Sequence, residues 1–123
     1  MEKKNSILIV DDNSSNLMEL FHVLRDEYNI LTAMNGPSAL EKANMYSPDI
    51  ILLDVIMPDM SGFDILIELK KSDKTKSIPV IFITGLSEKE KEREGFAIGA
   101  ADYILKPFDA AHVKLSIRQQ LDK

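Results

Sequence analysis

Four short apolar blocks decide most of what this chain can fold into: Ile7-Leu8-Ile9-Val10, Ile50-Ile51-Leu52-Leu53, Val80-Ile81-Phe82-Ile83 and Tyr103-Ile104-Leu105. None alternates apolar with polar residues as a strand with one wet face would, so each suits a strand buried on both faces. Segments of helical periodicity lie between them. Strands alternating with helices imply right-handed crossovers and a mostly parallel sheet, which makes the fold class α/β.

Leu17, Leu20, Phe21 and Leu24 recur at helical spacing and mark a first helix from about Ser14 to Asp26, followed by a second strand near Ile30 to Ala33. Gly36-Pro37 opens a short second helix with Ala39, Leu40 and Ala43 inward, which Ser47-Pro48 ends. Strand three runs from Asp49 to Asp54. The turn formers of Pro58-Asp59-Met60-Ser61-Gly62 lead into a helix that uses Phe63, Leu66 and Ile67, with Leu69 and Lys70 as further candidates. Pro79 restarts the chain as strand four. Ser87-Glu88-Lys89-Glu90 has the spacing of a capping box for a fourth helix, in which Phe96 and Ile98 alone face inward. That helix is thinly anchored. Gly99-Ala100-Ala101-Asp102 leads into strand five, and Asp109 caps a last helix carrying Val113, Leu115, Ile117 and Leu121.

Polar residues stand directly after the strands: Asp11 and Asp12, Asp54, Thr84 and Lys106. In open parallel sheets ligands bind beyond the carboxyl ends of the strands, so three carboxylates, a hydroxyl and an ammonium are expected to meet in one crevice. Taken singly, each has a plain structural reading. Asp11, Asp12 and Asp54 suit caps or turns, Thr84 suits a strand, and Lys106 suits a solvated position before Pro107. Their joint placement is what points to chemistry. Carboxylates about 5 Å apart repel by roughly 3 kcal/mol per pair at an effective dielectric near 20. One lysine offsets part of this, and a hard divalent cation such as Mg²⁺, which keeps waters that a phosphate can replace, offsets the rest. Asp54, alone at the end of the central strand, is then the best candidate for a nucleophile toward phosphorus. Asp11 and Asp12 suit the metal, while Lys106 and Thr84 hold the oxygens on which charge accumulates.

At 123 residues the chain is long enough for one domain with a real core, and residues 1–123 are expected to form a single domain. Without cysteine there are no disulfides, thiolate zinc sites or cysteine nucleophiles. No apolar run approaches a membrane span, and the charged start Met1-Glu2-Lys3-Lys4 precedes an apolar run too short for a secretory signal, so a cytoplasmic location is expected. A formal charge of −5 argues against direct nucleic-acid binding. The basic group Lys70, Lys71, Lys74 and Lys76 reads as a solvated loop, and His22 and His112 are assigned no chemistry.

The acidic pair Asp11-Asp12, the segment Asp54-Val55-Ile56-Met57-Pro58-Asp59-Met60-Ser61-Gly62, Thr84-Gly85 and Ala101-Asp102-Tyr103-Ile104-Leu105-Lys106-Pro107-Phe108 together resemble the receiver domain of bacterial two-component response regulators. The resemblance covers essentially the whole chain. It implies a five-stranded parallel sheet of order 2-1-3-4-5 with five helices on both faces, the flavodoxin-like arrangement. It implies that a sensor histidine kinase or histidine phosphotransfer protein passes a phosphoryl group to Asp54. The ligands of Mg²⁺ would be Asp12, Asp54 and the Ile56 carbonyl, with Asp11 acting through water. It further implies that Lys106 pairs with the acyl phosphate, that the Lys106-Pro107 peptide is cis, and that Thr84 moves to the phosphoryl group while Tyr103 swings inward. The surface of helix four, strand five and helix five would shift and so control an effector domain or protein.

Ile56 and Leu86, each two residues past a site residue, would flank the phosphoryl group. Two aliphatic side chains there predict slow hydrolysis and a long-lived phosphoryl state. Rival readings are a haloacid-dehalogenase-type phosphatase, whose Asp-x-Asp signature is absent after strand one, a flavodoxin-like cofactor protein, and a degenerate receiver that only binds. The chain stops two residues after Leu121, which leaves no room for an effector and implies either a free-standing regulator or a receiver cut from a larger protein. Residues Gly99 to Leu121 somewhat resemble receivers fused ahead of cyclic-dinucleotide enzymes. Apolar positions on the last helix allow a homodimer face.

Overall fold

A computed structural model describes residues 4–122, so Met1, Glu2, Lys3 and Lys123 lie outside the described residues. Strands and helices alternate along the chain: β1 (Ser6–Val10), α1 (Ser14–Leu24), β2 (Asn29–Ala33), α2 (Gly36–Tyr46), β3 (Ile50–Leu53), α3 (Gly62–Lys71), β4 (Val80–Thr84), α4 (Lys89–Ala97), β5 (Asp102–Leu105) and α5 (Ala110–Leu121). All five strands are parallel, in the order β2-β1-β3-β4-β5. The fold class and strand order agree with expectation.

The unbroken apolar blocks follow from two cores, one on each face of the sheet. Leu8, Val10, Ile51, Leu53, Val80, Phe82 and Tyr103 point to one face, where Ala39, Ala43, Phe63 and Leu66 of α2 and α3 cover them. Ile7, Ile9, Ile50, Leu52, Ile81, Ile83 and Ile104 point to the other, under Leu17, Leu20 and Leu24 of α1 and Val113 and Ile117 of α5. Successive residues of a strand face opposite ways, so covering both faces confines polar residues of the central strands to strand ends, such as Ser6 and Thr84.

Several helix details differ from expectation. α1 ends at Leu24 rather than near Asp26, because Tyr28 folds back beneath it and its N–H donates to the Leu24 carbonyl. The capping box proposed for Ser87 and Glu90 does not form. α4 begins at Lys89 with Glu88 in the cap position and no side-chain cap, so the reciprocal spacing falls one residue out of phase. A capping box forms instead at α3, between Ser61 and Asp64. Phe96 is exposed, and the buried residue of α4 is Gly95, where an added Cβ would lie 3.4 Å from the rings of Phe63 and Phe82. Ile67 and Leu115 are likewise exposed. Ile65 takes the inward position on α3, and Ser116 does so on α5 because its Oγ donates to Asp102 Oδ2 at 2.5 Å. Asp109 caps α5 as expected, accepting from the Ala111 N–H. No helix of the described residues is long and apolar enough to cross a membrane.

Candidate phosphoryl-acceptor site

Because the strands are parallel, the residues that follow β1, β3, β4 and β5 emerge at one edge of the sheet. Asp54 is set beside the first strand by its own N–H, which donates to the Val10 carbonyl, and Lys106 beside the fourth by an N–H bond to the Thr84 carbonyl. The Lys106-Pro107 peptide is cis. Lys106 Nζ then reaches inward and donates to Asp11 Oδ2 at 2.8 Å and to Asp54 Oδ2 at 3.1 Å. Both acceptors are nearly sealed from solvent, at 2 % and 8 % exposure.

The remaining oxygens are also placed. Asp11 Oδ1 accepts from the Asn13 N–H at 2.9 Å, and Asp54 Oδ1 accepts from the Ile56 N–H at 3.2 Å. Asp12 is exposed. One carboxylate oxygen from each of Asp11, Asp12 and Asp54 lies within 4.8 Å of the others. Burial pulls the Lys106 ammonium down, but its hydrogen bonds to Asp11 and Asp54 and their charges outweigh burial and hold it above the ordinary lysine value. A single ammonium among three carboxylates leaves two negative charges in one crevice. A set of hard oxygen donors with that surplus fits a divalent cation such as Mg²⁺.

Thr84 is fully buried at the end of β4, and its Oγ1 accepts from the Leu86 N–H at 3.2 Å. Tyr103 is turned inward in this structure. Its ring is 8 % exposed and its hydroxyl donates to the Leu86 carbonyl at 2.7 Å. Burial raises the Tyr103 phenol above its ordinary value, and the charges of Glu92, Asp54 and Glu88 raise it further. Ile56 is 60 % exposed and Leu86 half-buried. Both line a groove of about 420 Å³ between α3 and α4, with Phe63 and Ile67 on its α3 side. His22 and His112 are exposed on α1 and α5. The basic group is solvated, with Lys71 paired to Glu68 and Lys76 to Asp73.

A model of the response regulator receiver domain matches residues 7–118. The chain belongs to the response regulator receiver family. The receiver is 45 % identical over 104 residues to the response regulator PleD of Caulobacter vibrioides, covering 84 % of this chain and 23 % of that one. It is 40 % identical over 116 residues to a probable cyclic di-GMP phosphodiesterase of Vibrio cholerae, covering 94 % of this chain and 26 % of the other. Thus it spans about a quarter of the length of these relatives. Among solved structures, a chemotaxis response regulator of Vibrio cholerae superposes with a TM-score of 0.90 at 32 % identity, over 97 % of this chain and all of that one. Receivers act in two-component signalling as phosphoacceptors and are not in general enzymes that turn over a substrate. The phosphatase reading is not favoured.

One residue of the site was read only as a turn former. Gly62, the first residue of α3, donates its N–H to the Val55 carbonyl, and a Cβ added there would lie 2.2 Å from the Asp54 carbonyl oxygen. The turn-rich composition located the loop. The close approach that requires glycine depends on how α3 sits against β3, which no local pattern encodes.

Proposed function

We propose that Asp54 accepts a phosphoryl group from the phosphohistidine of a sensor histidine kinase or histidine phosphotransfer protein. The observation that carries this reading is the Lys106 ammonium bridging Asp11 and Asp54, beside an exposed Asp12. An Asp54 carboxylate oxygen forms the new bond to phosphorus. The bond from phosphorus to the donor nitrogen breaks, and its electron pair returns to the imidazole. Lys106 Nζ, already aimed at Asp54, exchanges a carboxylate for a phosphoryl oxygen, and the Thr84 hydroxyl can donate to another while its oxygen still accepts from Leu86. Asp12, Asp54 and the Ile56 carbonyl would hold Mg²⁺, with Asp11 acting through water. When bound, the ion neutralises charge on the phosphoryl oxygens.

Beyond self-phosphorylation and self-dephosphorylation we assign the chain no catalysis. Ile56 and Leu86 flank the phosphoryl group and slow its hydrolysis. Residues 1–123 form one cytoplasmic receiver domain, whose α4, β5 and α5 surface acts on an effector domain or protein and can pair two copies. It contacts neither nucleic acid nor membrane. The exposed Phe96, Leu105 and Leu115 on those three elements support that surface.

The test is intact mass after incubation with acetyl phosphate and Mg²⁺, on the wild type and on Asp54→Asn. One added phosphoryl group, dependent on the metal and lost in the variant, is the expected result. A folded wild type that gains no mass would overturn the reading.

A further inference from the structure

Leu86 is held at both ends of its backbone, and the two holders are the residues expected to move. Its N–H donates to Thr84 Oγ1 at 3.2 Å, and its carbonyl accepts from the Tyr103 hydroxyl at 2.7 Å. Tyr103 in turn is fixed by an aromatic stack. Its ring meets Phe82 edge to face with centroids 6.0 Å apart, and Phe82 meets Phe63 in the same way at 5.2 Å. Phe82 is fully buried and Phe63 and Tyr103 nearly so, so the stack ties β5 to β4 and α3 and leaves the hydroxyl little choice of direction. Such ring pairs add to the burial of their surfaces and prefer these tilted geometries.

We propose that Tyr103 is a positioning residue for the lifetime of the phosphoryl group: its hydroxyl fixes the Leu86 carbonyl, and so holds the Leu86 side chain across the approach of water to Asp54. The inference rests on the reading of Asp54 given above. Hydrolysis needs a water oxygen to bond phosphorus as the bond from phosphorus to the Asp54 oxygen breaks. Asp54 returns to carboxylate and the water's hydrogens leave with inorganic phosphate. The incoming oxygen must lie in line with the departing one, on the open side of the site that Ile56 and Leu86 flank. Ile56 is mostly exposed and its N–H bonds Asp54 Oδ1 itself, whereas Leu86 is half-buried, packs against the core on the face of α2 and α3, and is hydrogen-bonded on both sides of its Cα to groups outside the acceptor. Leu86 is therefore the side chain whose position can be set by hydrogen bonds. Tyr103 supplies one of the two.

The experiment measures loss of the phosphoryl group by intact mass, after removal of acetyl phosphate with Mg²⁺ retained, in the wild type, Tyr103→Phe, Leu86→Ala and the double variant. Tyr103→Phe keeps the ring stack and removes only the hydroxyl. Losing one hydrogen bond of ordinary strength predicts a phosphoryl lifetime shorter by about twofold to tenfold. Leu86→Ala also shortens it. Because Tyr103 acts through Leu86, adding Tyr103→Phe to Leu86→Ala produces no further shortening, which a general loosening of the fold would not reproduce. Equal lifetimes in wild type and Tyr103→Phe, or the same shortening in both backgrounds, would overturn the inference while leaving Asp54 as acceptor. A wild type that never gains a phosphoryl group would overturn both.

Discussion

Replacing Gly62 by alanine tests how tightly the acceptor is framed by backbone. An ideal Cβ at this position falls 2.2 Å from the Asp54 carbonyl oxygen and 2.9 Å from both the Asp54 carbonyl carbon and Val55 Cα. All three are backbone atoms, so no rotamer change relieves the contact. An ordinary carbon–oxygen approach is about 3.3 Å, so α3 or the chain after β3 must shift by about 1 Å. The capping box of Ser61 and Asp64 holds the first turn of α3, and Leu66 and Leu69 bury its inner face, so the helix resists lifting. Overpacking of this kind costs about 2–3 kcal/mol. At about 4 °C per kcal/mol for a domain of this size, Tm falls by about 8–12 °C. If Asp54 takes up part of the shift, phosphorylation by acetyl phosphate slows by up to about a hundredfold, since a misplacement of this size costs that much at a reacting group. Gly85→Ala is the control. Nothing lies within 4 Å of a Cβ there and Gly85 does not adopt a positive φ, so its stability stays within about 0.5 kcal/mol of wild type. Thermal unfolding and initial phosphorylation rates on the three proteins decide the matter. A Gly62→Ala variant that melts and reacts like Gly85→Ala would refute the reasoning.

Lys106→Met leaves Asp11 and Asp54 facing each other without their cation. Removing one partner of a buried ion pair costs about 3–5 kcal/mol, and because the Lys106 side chain is 20 % exposed the lower part of that range, discounted to about 2–3 kcal/mol, is expected. Mg²⁺ should restore much of the loss, and denaturant unfolding with and without the ion should show a larger gain in the variant than in wild type; equal gains would remove the ion from this crevice. Tyr28 provides a pH test away from the site. Burial raises its phenol above 10.0, with Glu27 and Asp122 adding to the rise and Arg118 and Lys114 opposing it. The unfolded chain therefore loses this proton first, so the stability it contributes is whole below pH 10 and declines as pH rises through the higher folded value. Tyr28→Phe should lose less stability than wild type as pH rises above 10.0. The decline that remains in the variant belongs in part to Tyr103, which is raised in the same direction. Parallel pH curves would show that Tyr28 does not titrate differently in the two states.

The sheet was legible in the sequence because burial on both faces removes polar residues from whole strands, a signal that survives whatever the helices do. The grouping of Asp11, Asp12, Asp54, Thr84 and Lys106 was legible for a related reason: parallel strands bring their carboxyl ends together however far apart they lie in the chain. Helix faces were harder. Phe96 and Ile98 were expected inward as apolar residues of an otherwise charged helix; Ile98 does pack against the core but Phe96 is exposed. The inward position belongs to Gly95, where even a Cβ would meet the rings of Phe63 and Phe82 at 3.4 Å, so the contact has no room for a side chain as large as that of phenylalanine. Ser116 was passed over because a serine gives no apolar signal, and its burial depends on Asp102, a residue on another element. Gly62 and the Tyr103 hydrogen bond share that character. Each is set by the approach of two elements, which one-dimensional periodicity does not contain.

The two sides of the site differ in how firmly they are held, and the difference bears on what phosphorylation can move. Asp11, Asp54 and Lys106 hang from strands tied into the sheet and to one another, so the chemical groups stay in place. α4 has no side-chain cap, one buried residue in Gly95, and a surface of alternating charges including Glu90 and Glu92 in its first turn. Segments with few buried apolar contacts open at the lowest free-energy cost, and a switch draws its moving part from them. Thr84 and Tyr103 meet at Leu86, the residue that leads from β4 into this helix. If Asp54 is the acceptor, as proposed, a bond from Thr84 to a phosphoryl oxygen would act first on the connection between a rigid strand and the helix with the fewest buried residues. The Tyr103 hydroxyl opposes any shift of Leu86 through a bond of 2.7 Å. Under the inference drawn above, the contact that holds Leu86 would also limit how far α4 can respond, so Tyr103→Phe should enlarge the phosphorylation-dependent change in amide hydrogen exchange of α4 as it shortens the phosphoryl lifetime, and an unchanged α4 response would refute this.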